Sequence, residues 1–170
     1  WIYDVEPERV DTFARDVGEI VAEEISVARS PAQAVRQADV ICTATSSSHP
    51  VFDDADVQPG THINAIGAYT PEMQEIPVEP VLRAKVVIDH HEAALAEAGD
   101  LLIPIDLGLM RTDHIYAELG EIVAGDRPGR ESPQEITLFK SVGVAVQDVA
   151  AAGAVLQEAR KAGLGTTLVL

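Results

Sequence analysis

The feature that most constrains this chain is a repeated change of hydrophobic period. Short β-branched runs alternate with segments whose apolar residues fall three and four apart. Residues 25–28, 40–45, 61–67, 85–89 and 135–139 read as strands, and Trp1-Ile2-Tyr3-Asp4 reads as the end of another. Between them, residues 7–18 read as a helix, with Pro7 at its first position, Val10, Phe13, Ala14 and Val17 on one face, and Gly18 as its stop. Ser30-Pro31-Ala32-Gln33 fits a capping box that opens a short helix to about residue 38. Residues 92–98, closed by Gly99, and residues 115–124 read as further helices, while 100–115 read as loop. A long helix is expected over 142–162, with Val142, Val146, Val149, Gly153 and Leu156 on one face, then a strand over 166–170. This alternation predicts an α/β fold with a mostly parallel sheet. The apolar run 40–45 fits a strand covered on both faces. Ligands of such sheets bind beyond the carboxyl ends of the strands. Here those ends are Asp4, Thr45-Ser46, Gly67-Ala68 and Asp89.

Composition removes several classes of function. The formal net charge is −16, whereas nucleic acid or an anionic membrane surface calls for a basic face. The acidic excess fits a halophilic source or a solubility device, neither of which speaks to chemistry. No apolar run approaches the ~20 residues of a membrane span. The single cysteine, Cys42, excludes a disulfide within the chain and a cysteine-based zinc site; its place in an apolar run predicts a buried side chain. His90-His91-Glu92 is the only histidine cluster, and adjacent helical residues point ~100° apart, so no metal site is expected. No positional pattern supports a nucleophilic triad.

A Rossmann dinucleotide site pairs a Gly-rich turn after the first strand with an acidic residue ~20 positions later. No G-x-G-x-x-G occurs in the 170 residues, yet Asp4 ends a strand as the ribose-binding acid would. An ordinary cap or turn role also suits Asp4. The later segments include Asp39-Val40-Ile41-Cys42-Thr43-Ala44-Thr45-Ser46-Ser47, His62-Ile63-Asn64-Ala65-Ile66-Gly67-Ala68, Glu97-Ala98-Gly99-Asp100-Leu101 and Glu118-Leu119-Gly120-Glu121. Phe139-Lys140-Ser141-Val142-Gly143 and Gly163-Leu164-Gly165-Thr166 follow in order. Together they resemble the ornithine cyclodeaminase/mu-crystallin family over nearly the whole chain. The resemblance implies residues 1–140 as most of an NAD(P)-binding Rossmann domain. It implies residues 141–170 as a helix and strand returning to a substrate and dimerisation domain.

The resemblance also implies roles. Asp4 would accept hydrogen bonds from the adenosine ribose and, with Glu6 and Glu8, disfavour a 2′-phosphate, so NAD is expected over NADP; Arg9 keeps NADP open. Thr43, Ala44, Thr45 and Ser46 would pass beside the cofactor. Asn64, Ala65, Gly67 and Ala68 would lie near the nicotinamide, and Ser141, Val142 and Gly143 would cover its carboxamide end. The alternative for these small residues is tight strand-to-helix packing. In family members that deaminate, an acid follows the equivalent of Gly67-Ala68 and precedes a proline; here Tyr69 stands there, before Thr70-Pro71. A phenol is a poor carboxylate substitute near neutrality. No residue is therefore assigned as catalytic.

The expectation is an NAD-dependent enzyme acting on a small amino acid or its cyclic imine, as cyclodeaminase, ketimine reductase or amino-acid dehydrogenase. A cytoplasmic homodimer without nucleic-acid or membrane partners is the expected setting. A non-catalytic small-molecule carrier of the mu-crystallin kind is the alternative, and a ligand-free structural domain the third. Because the first Rossmann strand is absent, the sheet is expected to be truncated beside residues 2 and 41, and the chain to be a fragment of a longer protein or to rebuild its sheet by pairing with another chain. Alone, it is expected to bind NAD weakly and turn nothing over.

Overall fold

The computed structural model describes residues 1–166 and 168. Five four-residue strands form the sheet: β1 (Val40–Thr43), β2 (His62–Ala65), β3 (Lys85–Ile88), β4 (Ile115–Glu118) and β5 (Thr137–Lys140). Their order is β1-β2-β5-β3-β4, and every pairing is parallel. The last strand in sequence thus occupies the centre, and Leu138 on it is fully buried. Seven α-helices accompany the sheet among the described residues: α1 (Pro7–Gly18), α2 (Pro31–Val35), α3 (Val78–Arg83), α4 (His91–Glu97), α5 (Gly99–Asp106), α6 (Leu119–Ala124) and α7 (Ala145–Ala162). The expected α/β class, parallel sheet and long closing helix are all present.

Local chemistry explains the helix ends. Pro7 opens α1, where its missing N–H costs nothing. Ser30 Oγ accepts the Gln33 N–H at 3.2 Å at the start of α2, while Gln33 Oε1 accepts the Arg29 N–H at 2.8 Å. Gly163 closes α7 at φ 67°, a left-handed conformation that suits glycine.

Several local expectations are corrected. Gly99 does not end a helix; it begins α5, and residues 100–106 are helical rather than loop. A side chain at Gly99 would collide with the carbonyl oxygens of Met73, Thr70 and Pro71, so the glycine serves close packing of that loop. Residues 115–118 form β4 instead of helix, because Ile115-Tyr116-Ala117 pairs with β3; the helix starts only at Leu119. Helix α3 carried no clear sequence signal. On α1 only Val10 is buried, and Phe13 is exposed. The expected 166–170 strand falls largely on residues 167, 169 and 170, outside the described residues.

The sheet is covered on one face only at its β1 end. Ile41 and Thr43 point into the core, whereas Val40 is 59% exposed and Cys42 is also exposed. The two-sided burial expected for this run, and the buried Cys42, are therefore incorrect: β1 is an edge strand whose outer face carries no covering helix among the described residues. Ile2 and Val27 make a separate parallel bridge outside the sheet, with Ala28 N donating to Ile2 O at 2.8 Å. The main core lies on the other face, where Ile63, Ile76, Val81, Val86, Ile88 and Leu101 are fully buried.

Lys85 fastens the start of β3. Its Nζ lies 2.7 Å from Glu131 Oε2, 3.2 Å from Glu135 Oε1 and 4.7 Å from the centre of the Tyr116 ring. Its hydrogen bond to Glu131 raises the Lys85 pKa above 10.5, and the Glu131 backbone N–H, with Lys85, lowers that of Glu135 below 4.5. A raised lysine contributes stability below its unfolded pKa and loses it as pH rises through the folded value. A lowered carboxylate contributes above its unfolded pKa and loses it as pH falls through the folded value. Lys85→Gln is expected to lower the melting temperature by ~2–4 °C at pH 7. Melting curves should show that deficit shrinking below the range of Glu135 and above that of Lys85.

Candidate functional site

Parallel pairing brings all five strand ends to one edge. Thr43, Ala65, Lys140, Ile88 and Glu118 stand in register across it. The loops that leave this edge contain Ala44, Thr45 and Ser46 after β1, Gly67 and Ala68 after β2, and Ser141, Val142 and Gly143 after β5. The sheet therefore brings together most of the expected site residues. Ala44, Thr45 and Ser46 are exposed, while Ala65, Gly67 and Ala68 are buried.

Beneath these loops lies a charged cluster that the sequence did not single out. Glu75, Asp100 and Lys140 are all fully buried. Glu75 Oε2 accepts the Thr43 hydroxyl at 2.8 Å and the Gly67 N–H at 2.7 Å, and Oε1 accepts the Thr45 N–H at 2.5 Å. Asp100, in the first turn of α5, accepts the Glu75 and Ile76 N–H groups on Oδ1 at 2.7 and 2.9 Å. Its Oδ2 faces Lys140 Nζ at 3.4 Å, and Nζ donates to the Ala65 carbonyl at 3.0 Å. Burial pushes the Asp100 carboxyl up and the Lys140 ammonium down; the opposite charge of each partner works against both shifts.

A second carboxylate shapes the loop after β5. Asp89 Oδ2 accepts the Ser141 hydroxyl at 2.8 Å and the N–H groups of Val142 and Gly143, each at 2.9 Å. Gly143 has φ 85°, which lets its N–H turn toward the same oxygen. Three donors from consecutive residues thus converge on one anion.

Gly67 is needed for a reason beyond ligand access. A Cβ there would collide with the Thr45 carbonyl and Glu75 Oε1. The packing alternative weighed for the small residues is therefore real at this position. Asp4 Oδ1 accepts the Glu6 N–H at 2.8 Å, a turn contact, and lies in the segment that bridges to Val27 rather than in the sheet. Asn64 points to the open face, where Oδ1 meets His62 Nε2 at 3.2 Å; His62 Nδ1 pairs with the Thr137 hydroxyl at 2.7 Å. Those residues border an open groove of about 660 Å³ with Val40, Val87 and Phe139. The structure thus sets Asn64 and Asp4 apart from the clustered loops. Tyr69 follows Ala68 on the same loop and is 53% exposed.

The sequence profile of the ornithine cyclodeaminase/mu-crystallin family matches residues 1–163. The chain belongs to this family. A Delta(1)-pyrroline-2-carboxylate reductase of Bacillus cereus is 42% identical over 168 residues, covering 98% of this chain and 51% of that protein. The structure of the Thermococcus litoralis Delta(1)-pyrroline-2-carboxylate reductase, in complex with NADH and L-proline, matches with a TM-score of 0.93 at 38% identity, over 98% of this chain and 51% of that one. An archaeal alanine dehydrogenase dimer with bound NAD matches with a TM-score of 0.88 at 37% identity, over 99% and 51%. The chain spans about half the length of these relatives. Among the described residues no helix is long and apolar enough to cross a membrane.

Two substitutions probe the site's architecture. Asp89→Ala leaves the Val142 and Gly143 amides without their anion, and hydrogen exchange at both is expected to quicken roughly tenfold or more. Gly67→Ala is expected to lower the melting temperature by several degrees, since Thr45 and Glu75 must move to admit a methyl group.

Proposed function

We propose that this chain supplies the nicotinamide side of the dinucleotide site of an NAD-dependent enzyme that reduces a cyclic imino acid or oxidises the corresponding amino acid. The observation that carries this reading is the shared edge formed by the ends of β1, β2 and β5. There the exposed Thr45-Ser46 segment and the 141–143 loop stand over buried Gly67 and Ala68. Family membership supports the same reading.

The residues at that strand edge fit the nicotinamide half of a dinucleotide. Thr45 Oγ1 accepts the Ser47 N–H at 3.1 Å and keeps its own proton to donate. The absence of a side chain on Gly67 lets the loop after β2 close against Thr45 and Glu75, which fixes the strand end beside the proposed ring site. No Gly-rich turn for the pyrophosphate occurs in the 170 residues, so the stretch alone is expected to bind weakly. When bound, the dinucleotide supplies or accepts the hydride. This chain's residues orient it.

Asp4 favours NAD. Its Oδ1 is taken by Glu6, which leaves Oδ2 for a ribose hydroxyl. Arg9, the one nearby group that could favour a 2′-phosphate, is paired with Glu6 at 3.0 Å. Tyr69 at the position expected for an acid favours hydride transfer over ammonia-releasing cyclisation. We assign residues 1–140 to the dinucleotide domain and 141–170 to the return toward a substrate and dimerisation domain. The 18-residue helix α7 buries none of its residues, and Val146, Val149, Val155 and Leu156 are exposed on it, which supports a homodimer contact there.

The intact protein is expected to consume NADH when given Delta(1)-pyrroline-2-carboxylate, followed by loss of absorbance. Ammonia release from L-ornithine without net NADH change would overturn this assignment in favour of a cyclodeaminase. Asp4→Ser is expected to reduce the preference for NADH over NADPH by about tenfold, equivalent to ~1.4 kcal/mol.

A further inference from the structure

We infer that Glu75 is a positioning residue for the dinucleotide: it fixes the distance between the loops after β1 and β2 without touching the ligand. This rests on the reading of that edge as a dinucleotide site. The carboxylate is fully buried, so neither oxygen is available to a ligand from solvent. Its three donors come from two neighbouring segments: the Thr43 hydroxyl at the end of β1 and the Thr45 N–H on the loop after it, and the Gly67 N–H on the loop after β2. The absence of a Cβ on Gly67 lets the two backbones meet at the carboxylate. The clamp is itself anchored. The Glu75 N–H is held by Asp100, its carbonyl accepts the Val51 N–H at 2.9 Å, and the neighbouring Gln74 N–H binds the Ser47 carbonyl at 3.0 Å.

The next residues outward from the clamped atoms are Ser46 and Ala68, on the two loops proposed to flank the ring. A small change in spacing at Glu75 is passed directly to them. Only a carboxylate satisfies the three donors with two acceptor atoms. Glutamine has the same shape but one carbonyl oxygen, and its NH₂ would face an N–H or O–H donor. The loops must then separate to relieve that contact. The effect falls on dinucleotide affinity more than on turnover, because no proton or hydride passes through Glu75.

The test is a fluorescence titration of NADH with the intact protein, alongside steady-state kinetics and melting curves. Glu75→Gln is expected to raise the Kd and KM for NADH by at least ~10-fold while kcat at saturating NADH changes less than ~3-fold. A merely structural role would lower the melting temperature and leave the Kd unchanged well below it; that result overturns the inference. If Glu75→Gln does not fold, Thr43→Val and Thr43→Ser decide. Valine removes one donor at constant volume and should raise the Kd ~3-fold, while serine, which keeps the hydroxyl, should restore it. A wild-type Kd in Thr43→Val overturns the inference. Failure of the wild-type protein to bind NADH overturns the dinucleotide reading itself, and this inference with it.

Discussion

The buried group formed by Lys140, Glu75 and Asp100 is the constraint on which the rest of the arrangement depends. An ion placed in a protein interior costs several kcal/mol unless it is paired and hydrogen-bonded. Here Lys140 has Asp100 and the Ala65 carbonyl, Asp100 has two backbone N–H groups, and Glu75 has three donors. Each partner belongs to a different part of the chain: β1 and its loop, β2 and its loop, the 74–76 segment, the start of α5, and the end of β5. These bonds form only when all of them are in place, and Asp100 Oδ2 then has the Lys140 ion pair as its single polar contact among the described residues. The cluster therefore selects the arrangement in which the last strand enters between β2 and β3, because that position delivers the Lys140 ammonium to the Ala65 carbonyl.

How much of this was visible in the sequence depends on the range of the interaction. Strands β2, β3 and β5 announced themselves through β-branched runs, and α7 through its length and its Gly163 stop. The expectation for 115–124 was half right, since Ile115-Tyr116-Ala117 has the composition of a strand but joins a helix without any break. Gly99 misled because a glycine after a helix ordinarily ends it, whereas here three carbonyl oxygens crowd the position. The family resemblance marked the loops that meet at the strand edge. It could not mark Glu75, whose partners lie as far as 32 positions away in sequence. Lys140 left a faint trace: Leu138 and Lys140 alternate along β5, with Ile136 in the same phase just before it, so a charge falls on the inward phase of the strand.

The same chain carries two polar systems with different purposes. The cluster behind the strand edge is fully buried, and its charged groups are held by one another and by the backbone of the strand ends. On the opposite face, His62, Asn64 and Thr137 make a string of hydrogen bonds, joined by the Arg130 guanidinium that donates to the Thr137 hydroxyl, along a groove that is open to solvent and bordered by Val40, Val87 and Phe139. Parallel strands are ordinarily covered on both sides; β3 is, whereas at the β1 end only one face is covered among the described residues. The exposure of Val40 and Cys42 has the same origin.

Helix α7 has a mechanical consequence. Its 18 residues form a rod ~27 Å long, rooted just beyond the three residues that Asp89 holds. A tilt of ~5° about that root displaces the far end by ~2 Å, while residues 141–143 shift by only a few tenths of an ångström. Val155 and Leu156 lie a little past the midpoint of this rod, ~15 Å from its root, so a surface that grips them holds the helix well away from the rim of the strand edge.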